Sequence, residues 1–303
     1  MPRNEAEELA RERQRREAMW SRLHELGGPD EVTVGAIQAA GIRPANTGQG
    51  IFRDHANTRV LGPAGVSLTL LDLGTSYDDA FDEEGGTYHY PKGGGRGGRD
   101  AAEVEATKEA CRLCLPVFVV LPGSRANLRT VRRGWVTDFD DARGVFLIAF
   151  DGLCAAEPEL FVPRSETVRE RVTSERWARP GQRRFAFRVF KAYGAVCALC
   201  DHEVETVLEA AHVVPVASGG TDRVDNGLVL CRNHHRAFDT DLLAFEPETA
   251  RVDLIREGPG AEELQLSRFS LEHLDRLPDE GAMQWRWHAA RLEPGVPRAR
   301  RGA

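Results

Sequence analysis

The chain reads as an α+β protein in two compact parts, and three observations lead there. Helix-period and strand-like segments follow one another through the first half without any internal repeat. A stretch rich in Pro and Arg interrupts them just past the midpoint. Two short-spaced Cys/His pairs then bracket a strand–loop–helix pattern in the second half. The length of 303 residues fits about two domains of ordinary size.

Residues 4–26 are rich in Glu, Ala, Arg and Leu, with Leu9, Trp20, Leu23 and Leu26 as apolar members. They predict a helix ended by Gly27-Gly28-Pro29. A short helix follows over 31–40, stopped at Gly41. Residues 49–75 predict strands, because SLTLLDLG is a β-compatible apolar run bounded by turn residues. From Tyr77 to Arg99 the chain reads as a loop-rich hairpin with an acidic cluster and a Gly-rich tip, whose Arg96 and Arg99 are candidates to touch phosphate. A helix over 100–114 leads into the buried strand PVFVVLPG, and GWVTDFDDARGVFLIAF reads as two strands around a turn. The expected organisation is an N-terminal helix at 1–29, a domain at 30–152, a basic linker at 153–181, a second unit at 182–256 and a helical tail at 257–303. Dimerisation is the simplest role for the first helix and the tail.

The formal net charge of −7 argues against a protein that coats nucleic acid through bulk charge. Residues 163–191 run the other way, with eight Arg and Lys191 against three Glu. Arg183, Arg184, Arg188 and Lys191 are the candidate phosphate contacts, and a solvated charged face is the competing reading. No run of 18 apolar residues exists and the N-terminus is charged throughout, so neither a membrane span nor a secretory signal is expected. The expected compartment is the cytoplasm, where paired cysteines point to metal or redox chemistry more than to disulfides.

Cys197, Cys200, Cys231 and His234 form the pattern C-x2-C-x30-C-x2-H. Two such pairs can each wrap one side of a tetrahedral Zn²⁺. Free core thiols are the alternative, and two coincident spacings disfavour it. With all four positions filled by protein, the zinc is expected to be structural. Cys111 and Cys114 repeat the spacing with no second pair, so they read as core thiols.

Between the pairs, VLEAAHVVPV suits a strand carrying His212, Asn226-Gly227 makes a turn, and a helix from near Cys231 carries His234, His235 and Asp239. His212, Asn226 and His235 are spaced by 14 and 9 inside the zinc frame. Here the sequence resembles the HNH (His-Asn-His) family of ββα-metal nucleases, over about 75 residues. The resemblance implies that His212 is the general base, that Asn226 braces the loop, and that His235 binds one catalytic divalent ion, Mg²⁺ or Mn²⁺. Asp239, one turn on from His235, and Glu209 are the candidate further ligands. Many family members carry Asp or His directly before the base, but Ala211 stands there in this chain. Glu209 shares the strand face of Ala211 and is equally well read as a solvent-facing residue. On this reading His234 and His235 serve two different metals, one each; the alternative is one zinc ligand beside a spectator histidine.

The first domain resembles the PUA-like β-barrel readers in the arrangement of its acidic, Tyr-rich hairpin and later strands. The resemblance implies capture of a flipped, modified base, for which Tyr77, Asp82, Tyr88, Tyr90 and Trp135 are the available residue types. Ordinary core is the competing reading for each. Reader plus nuclease is similar to bacterial modification-dependent restriction endonucleases of type IV. Such a protein would bind double-stranded DNA and cut both strands as a homodimer. The alternatives are a mobile-element or toxin nuclease without modification dependence, and a catalytically dead zinc-containing DNA-binding protein.

Overall fold

Arg16 is fully buried in the first helix, and that burial ties the helix to the sheet beneath it. The computed structural model describes residues 3–43, 50–73, 80–91, 99–150, 181–255 and 258–291, and the chain divides into unit 1, residues 1–156, and unit 2, residues 157–303. Helix α1 (Arg3–Glu25) places Arg16 so that its Nε donates to Glu12 at 2.7 Å and its Nη1 donates to the carbonyls of Ser67, 2.9 Å, and Pro116, 2.6 Å. Leu9 and Leu23 of α1 are buried in two different cores of the same unit. The helix is therefore packed into unit 1. It ends at Gly27, whose φ of 92° opens the turn in which Gly28 N–H bonds the Leu23 carbonyl.

Short elements follow: β1 (Val32–Thr33), α2 (Val34–Ala39), capped by the Thr33 hydroxyl, β2 (Ile51–Arg53) and α3 (His55–Thr58). Then come β3 (Ser67–Leu71), β4 (Ala80–Phe81), β5 (Gly85–His89), α4 (Arg99–Arg112), β6 (Val117–Pro122), β7 (Leu128–Asp140) and β8 (Val145–Ala149). These strands pair in the order β2-β3-β6-β7-β8-β5-β4, with β1 also on β7. The path is open. The barrel expected from the PUA-like resemblance is not what the described strands form; they make a mixed, eight-stranded sheet.

The reason lies in β3 and β6, which pair in parallel with α4 lying between them in the chain. Such a sheet is covered on both faces. Along β6, Val117 and Val119 join one core with Ala110 of α4, while Phe118 and Val120 join the other with Ile37 of α2. The unbroken apolar run VFVV follows from this two-sided burial. The long strand β7 pairs with β6 through its first half and with β8 through its second. Gly134 sits at the changeover, where a side chain would meet Ile148 at 2.8 Å. Past the end of α4, Cys114 lies at φ 49° and is disulfide-bonded, whereas Cys111 is free; the expectation of two core thiols fails for Cys114.

Unit 2 contains α5 (Gln182–Tyr193), β9 (Leu208–His212), β10 (Gly227–Cys231), α6 (Arg232–Asp239), β11 (Leu243–Phe245), β12 (Val252–Leu254) and α7 (Glu280–Arg291). The hairpins β9–β10 and β11–β12 are antiparallel. One core gathers Phe185, Leu228, Leu230, Phe238 and Phe245 with Leu271, Ala282 and Met283. The last three belong to the stretch set apart in sequence as a tail from 257; its described part instead completes the core of unit 2. Most of the Arg-rich connection, Arg164 to Arg179, lies outside the described residues. No helix among the described residues is long and apolar enough to cross a membrane.

Removing one partner of a buried ion pair strands the other. Glu12→Ala should therefore destabilise unit 1 by about 3–5 kcal/mol, read as a drop in the chemical denaturation midpoint. A change within experimental error would show that the Arg16 guanidinium is satisfied by the two carbonyls alone.

Candidate functional site

Cys197 and Cys200 lie in the turn after α5, and Cys231 closes β10 at the entry to α6. One turn into α6, His234 swings back toward them. The four ligand atoms lie within 4.8 Å of one another, with Cys197, Cys231 and His234 buried. His234 Nδ1 is 3.3 Å from Cys197 Sγ and 3.2 Å from Cys231 Sγ. Around tetrahedral zinc, a sulfur and a nitrogen ligand sit roughly 3.5 Å apart, so the cluster needs only a small expansion. Burial, followed by the adjacent Cys197 and Cys231 sulfurs, pushes the Cys200 thiol up to about 12, although a backbone hydrogen bond at His202 opposes it. Three sulfurs and one imidazole nitrogen gathered at this spacing suit a dication that prefers soft donors.

Two further contacts complete the cluster. His234 Nε2 lies 2.8 Å from the Leu264 carbonyl. A carbonyl only accepts, so the proton is on Nε2 and the Nδ1 lone pair faces the sulfurs. Arg268 donates to the carbonyls of Cys197, 2.8 Å, and Cys200, 3.2 Å, and pairs with Asp201 at 2.8 Å. Sequence reasoning missed Leu264 and Arg268, for a backbone acceptor and an arginine some seventy residues from Cys197 leave no signal in spacing.

The hairpin sorts the remaining site residues onto two faces. Gly227 lies directly opposite His212, and Leu230 opposite Glu209. On the first face, α5 closes down where Gly227 has no side chain; a Cβ there would meet Val189 at 2.4 Å and Phe185 at 3.0 Å. The Phe185 ring stacks on His212 at 3.8 Å, 10° from parallel. His212 Nε2 lies 3.0 Å from Asp222 Oδ1. Asn226 is buried and fully bonded: its Oδ1 accepts from Val214 N–H at 2.8 Å, and its Nδ2 donates to the carbonyls of Val214, 3.0 Å, and Thr221, 2.9 Å. That one side chain fixes the backbone on either side of the loop between His212 and Asp222. Gly220 permits the loop, since a Cβ there would lie 1.8 Å from the Val214 carbonyl.

On the other face, His235 reaches carboxylates with both ring nitrogens. Nδ1 is 2.7 Å from Glu209 Oε2, and Nε2 is 3.9 Å from Asp239 Oδ2. Arg232 holds the second Glu209 oxygen at 3.1 Å. The carboxylate of Glu209 only accepts, which puts the proton on Nδ1 and the free lone pair on Nε2, toward Asp239. An ion on this face is therefore matched by His235 Nε2 and Asp239, with Glu209 orienting the ring from behind.

The expected DNA contacts Arg183, Arg184, Arg188 and Lys191 lie on α5, and none of the four is without a partner in the chain. The expected base-reading residues have structural occupations. Tyr88 is buried and donates to the Leu71 carbonyl, so its ring has no face left for a base. Tyr90 packs on Phe146 at 4.4 Å and donates to Asp141. Asp82 accepts from Glu84 N–H in a turn, and Trp135 lies against the Arg133 guanidinium. Tyr77 and Arg96 lie outside the described residues, as does the side chain of Arg99.

A ββ hairpin followed by an α-helix, drawn together at a Cys₃His cluster with the donor set of a zinc site and edged by histidines, makes a ββα unit. Residues 197–246 match the family described as HNH endonuclease. No curated protein matches the chain. A solved structure titled modification dependent TagI restriction endonuclease is similar over 91% of this chain and 96% of its own, at 18% identity and a TM-score of 0.35.

The adjacent histidines should separate cleanly by metal analysis. His234→Ala should lose zinc and with it the fold of unit 2, while His235→Ala keeps both. Zinc loss from both variants would refute the division of labour. On the second face, titration of the zinc-loaded protein with Mn²⁺ should show Glu209→Ala weakening binding about 10- to 100-fold and Asp239→Asn weakening it further. The reverse order would put the ion on Nδ1.

Proposed function

We propose that the chain is a metal-dependent DNA endonuclease whose unit 2 hydrolyses phosphodiester bonds. The observation that carries this reading is the joint placement of His212, Asn226 and His235 around one hairpin within a segment matching HNH endonucleases. His212 ends β9 partly buried, with its ring stacked on Phe185 and bonded at Nε2 to Asp222. It takes the proton of a water molecule as the water oxygen attacks phosphorus. The P–O bond to the leaving nucleotide breaks, and the leaving oxygen is protonated from solvent. Asn226 keeps His212 in place through the loop backbone. His235 Nε2 and Asp239, with Glu209 behind them, would hold a divalent ion, Mg²⁺ or Mn²⁺. Such an ion neutralises charge on the phosphate and the leaving oxygen.

The Cys₃His cluster would hold Zn²⁺ as a cross-link and take no part in the chemistry. We further propose that unit 1 supplies recognition, and that a modified base is the feature it reads. A net charge of −7 supports selective recognition over bulk attraction to DNA. Each ββα site cuts one strand, so cleavage of both strands calls for a homodimer in the cytoplasm.

The test is cleavage of plain DNA and of matched DNA carrying methylated, hydroxymethylated or phosphorothioate groups, with Mg²⁺ or Mn²⁺. Wild type should cut one modified substrate, and His212→Ala should cut it at least about 100-fold more slowly. Equal cutting of all substrates would remove the reader role of unit 1. No cutting under either metal would leave a zinc-containing DNA-binding protein as the better account.

A further inference from the structure

We propose that Asp222 is a positioning residue of this site: it holds the Nε2–H of His212, sets the tautomer, and leaves Nδ1 as the proton acceptor. Three observations support it. First, Asp222 Oδ1 lies 3.0 Å from His212 Nε2, and a carboxylate only accepts, so the shared proton belongs to the imidazole. In a neutral imidazole the other nitrogen then carries the lone pair. Second, the ring is already pinned in its plane by Phe185, stacked at 3.8 Å. Stacking leaves rotation within that plane open, and a hydrogen bond at one edge of the ring removes it. Third, Asp222 is itself held. Asn226 Nδ2 bonds the carbonyl of Thr221, the preceding residue, at 2.9 Å. The second carboxylate oxygen faces the start of α5, 2.9 Å from where a Cβ on Gly181 would be. Unbonded N–H groups at a helix start favour negative charge there.

Asn226 thereby acts on His212 by two routes. It fixes the backbone at Val214 just after the histidine, and it fixes Thr221 just before the aspartate. The arrangement has the logic of a hydrolase triad, in which a carboxylate orients a histidine and stays ionised throughout. The sequence carries a faint sign of it, an acid two residues past a Gly-Gly turn, but spacing alone gives Asp222 no partner.

The inference rests on the nuclease reading for its consequence and not for its geometry, so two readouts separate them. In protein labelled with ¹⁵N-histidine, the His212 resonances, assigned by their loss in His212→Gln, should show Nε2 protonated and Nδ1 bare. Asp222→Asn should shift that pattern, because an amide can present an N–H to the ring. Its zinc content and melting midpoint should match wild type, its KM should stay near wild type, and its kcat should fall by about 100-fold or more. Asp222→Glu should recover part of the rate. A wild-type His212 protonated on Nδ1 would overturn the proposal, as would an Asp222→Asn enzyme within about twofold of wild-type kcat. A wild type that shows the expected tautomer yet cuts no DNA would sink the nuclease reading and leave the pairing in place.

Discussion

The Cys₃His cluster is the constraint on which the rest of unit 2 depends. Helix α6 has eight residues, too few to hold a helix in water by itself. Its first turn is fixed through Cys231 and His234 to the knuckle at Cys197 and Cys200. The segment at 264–268 closes over the same cluster, through the Leu264 carbonyl and Arg268. Three stretches distant in sequence thus meet at one point. Everything that α6 presents beyond that point, His235 and Asp239 included, inherits its place from the cluster.

A second constraint runs through the histidines. An imidazole has two nitrogens, and chemistry at one depends on what is bound at the other. His234 gives Nε2–H to a carbonyl and turns Nδ1 to sulfur. His235 gives Nδ1–H to Glu209 and turns Nε2 toward Asp239. His212 gives Nε2–H to Asp222. All three partners are acceptor-only, so each leaves one defined lone pair. The hairpin register adds direction: Glu209 and His212 are three residues apart and point to opposite faces, one toward α6 and one toward α5. Adjacent histidines can do separate work because each is oriented by a different partner.

Much of unit 2 was legible in sequence, because metal ligands and HNH residues are side chains whose identity and spacing carry the chemistry. All of them fall within residues 197–246, the segment that matches HNH endonucleases. What stayed hidden acts through backbone or from far along the chain: the Leu264 carbonyl, Arg268, and the apolar residues that bring α7 into the core. In unit 1 the strands were legible one by one, yet their order was not. A parallel partner for β6 lies nearly fifty residues back, at β3, and no local pattern reports it. Tyr88 shows the limit for single residues. A buried tyrosine and a base-stacking tyrosine are the same letter, and burial decides between them.

The far end of α6 shows why unit 2 cannot stop where its motif stops. Helix carbonyls in the last turn lack internal partners. Arg286 of α7 donates to the Phe238 carbonyl, lies over the Phe238 ring at 4.3 Å and pairs with Asp241 at 3.5 Å. Burial pushes its guanidinium down to about 10, with Asp239 acting in the opposite sense. A buried cation at that price in desolvation is kept where it neutralises something, and what surrounds it is the negative end of α6 together with Asp239 and Asp241. The helix is thus fixed at its start by the metal cluster and at its end by an arginine more than forty residues beyond the motif. Between those two anchors, His235 and Asp239 lie one turn apart at a spacing that thermal fraying of so short a helix would otherwise blur.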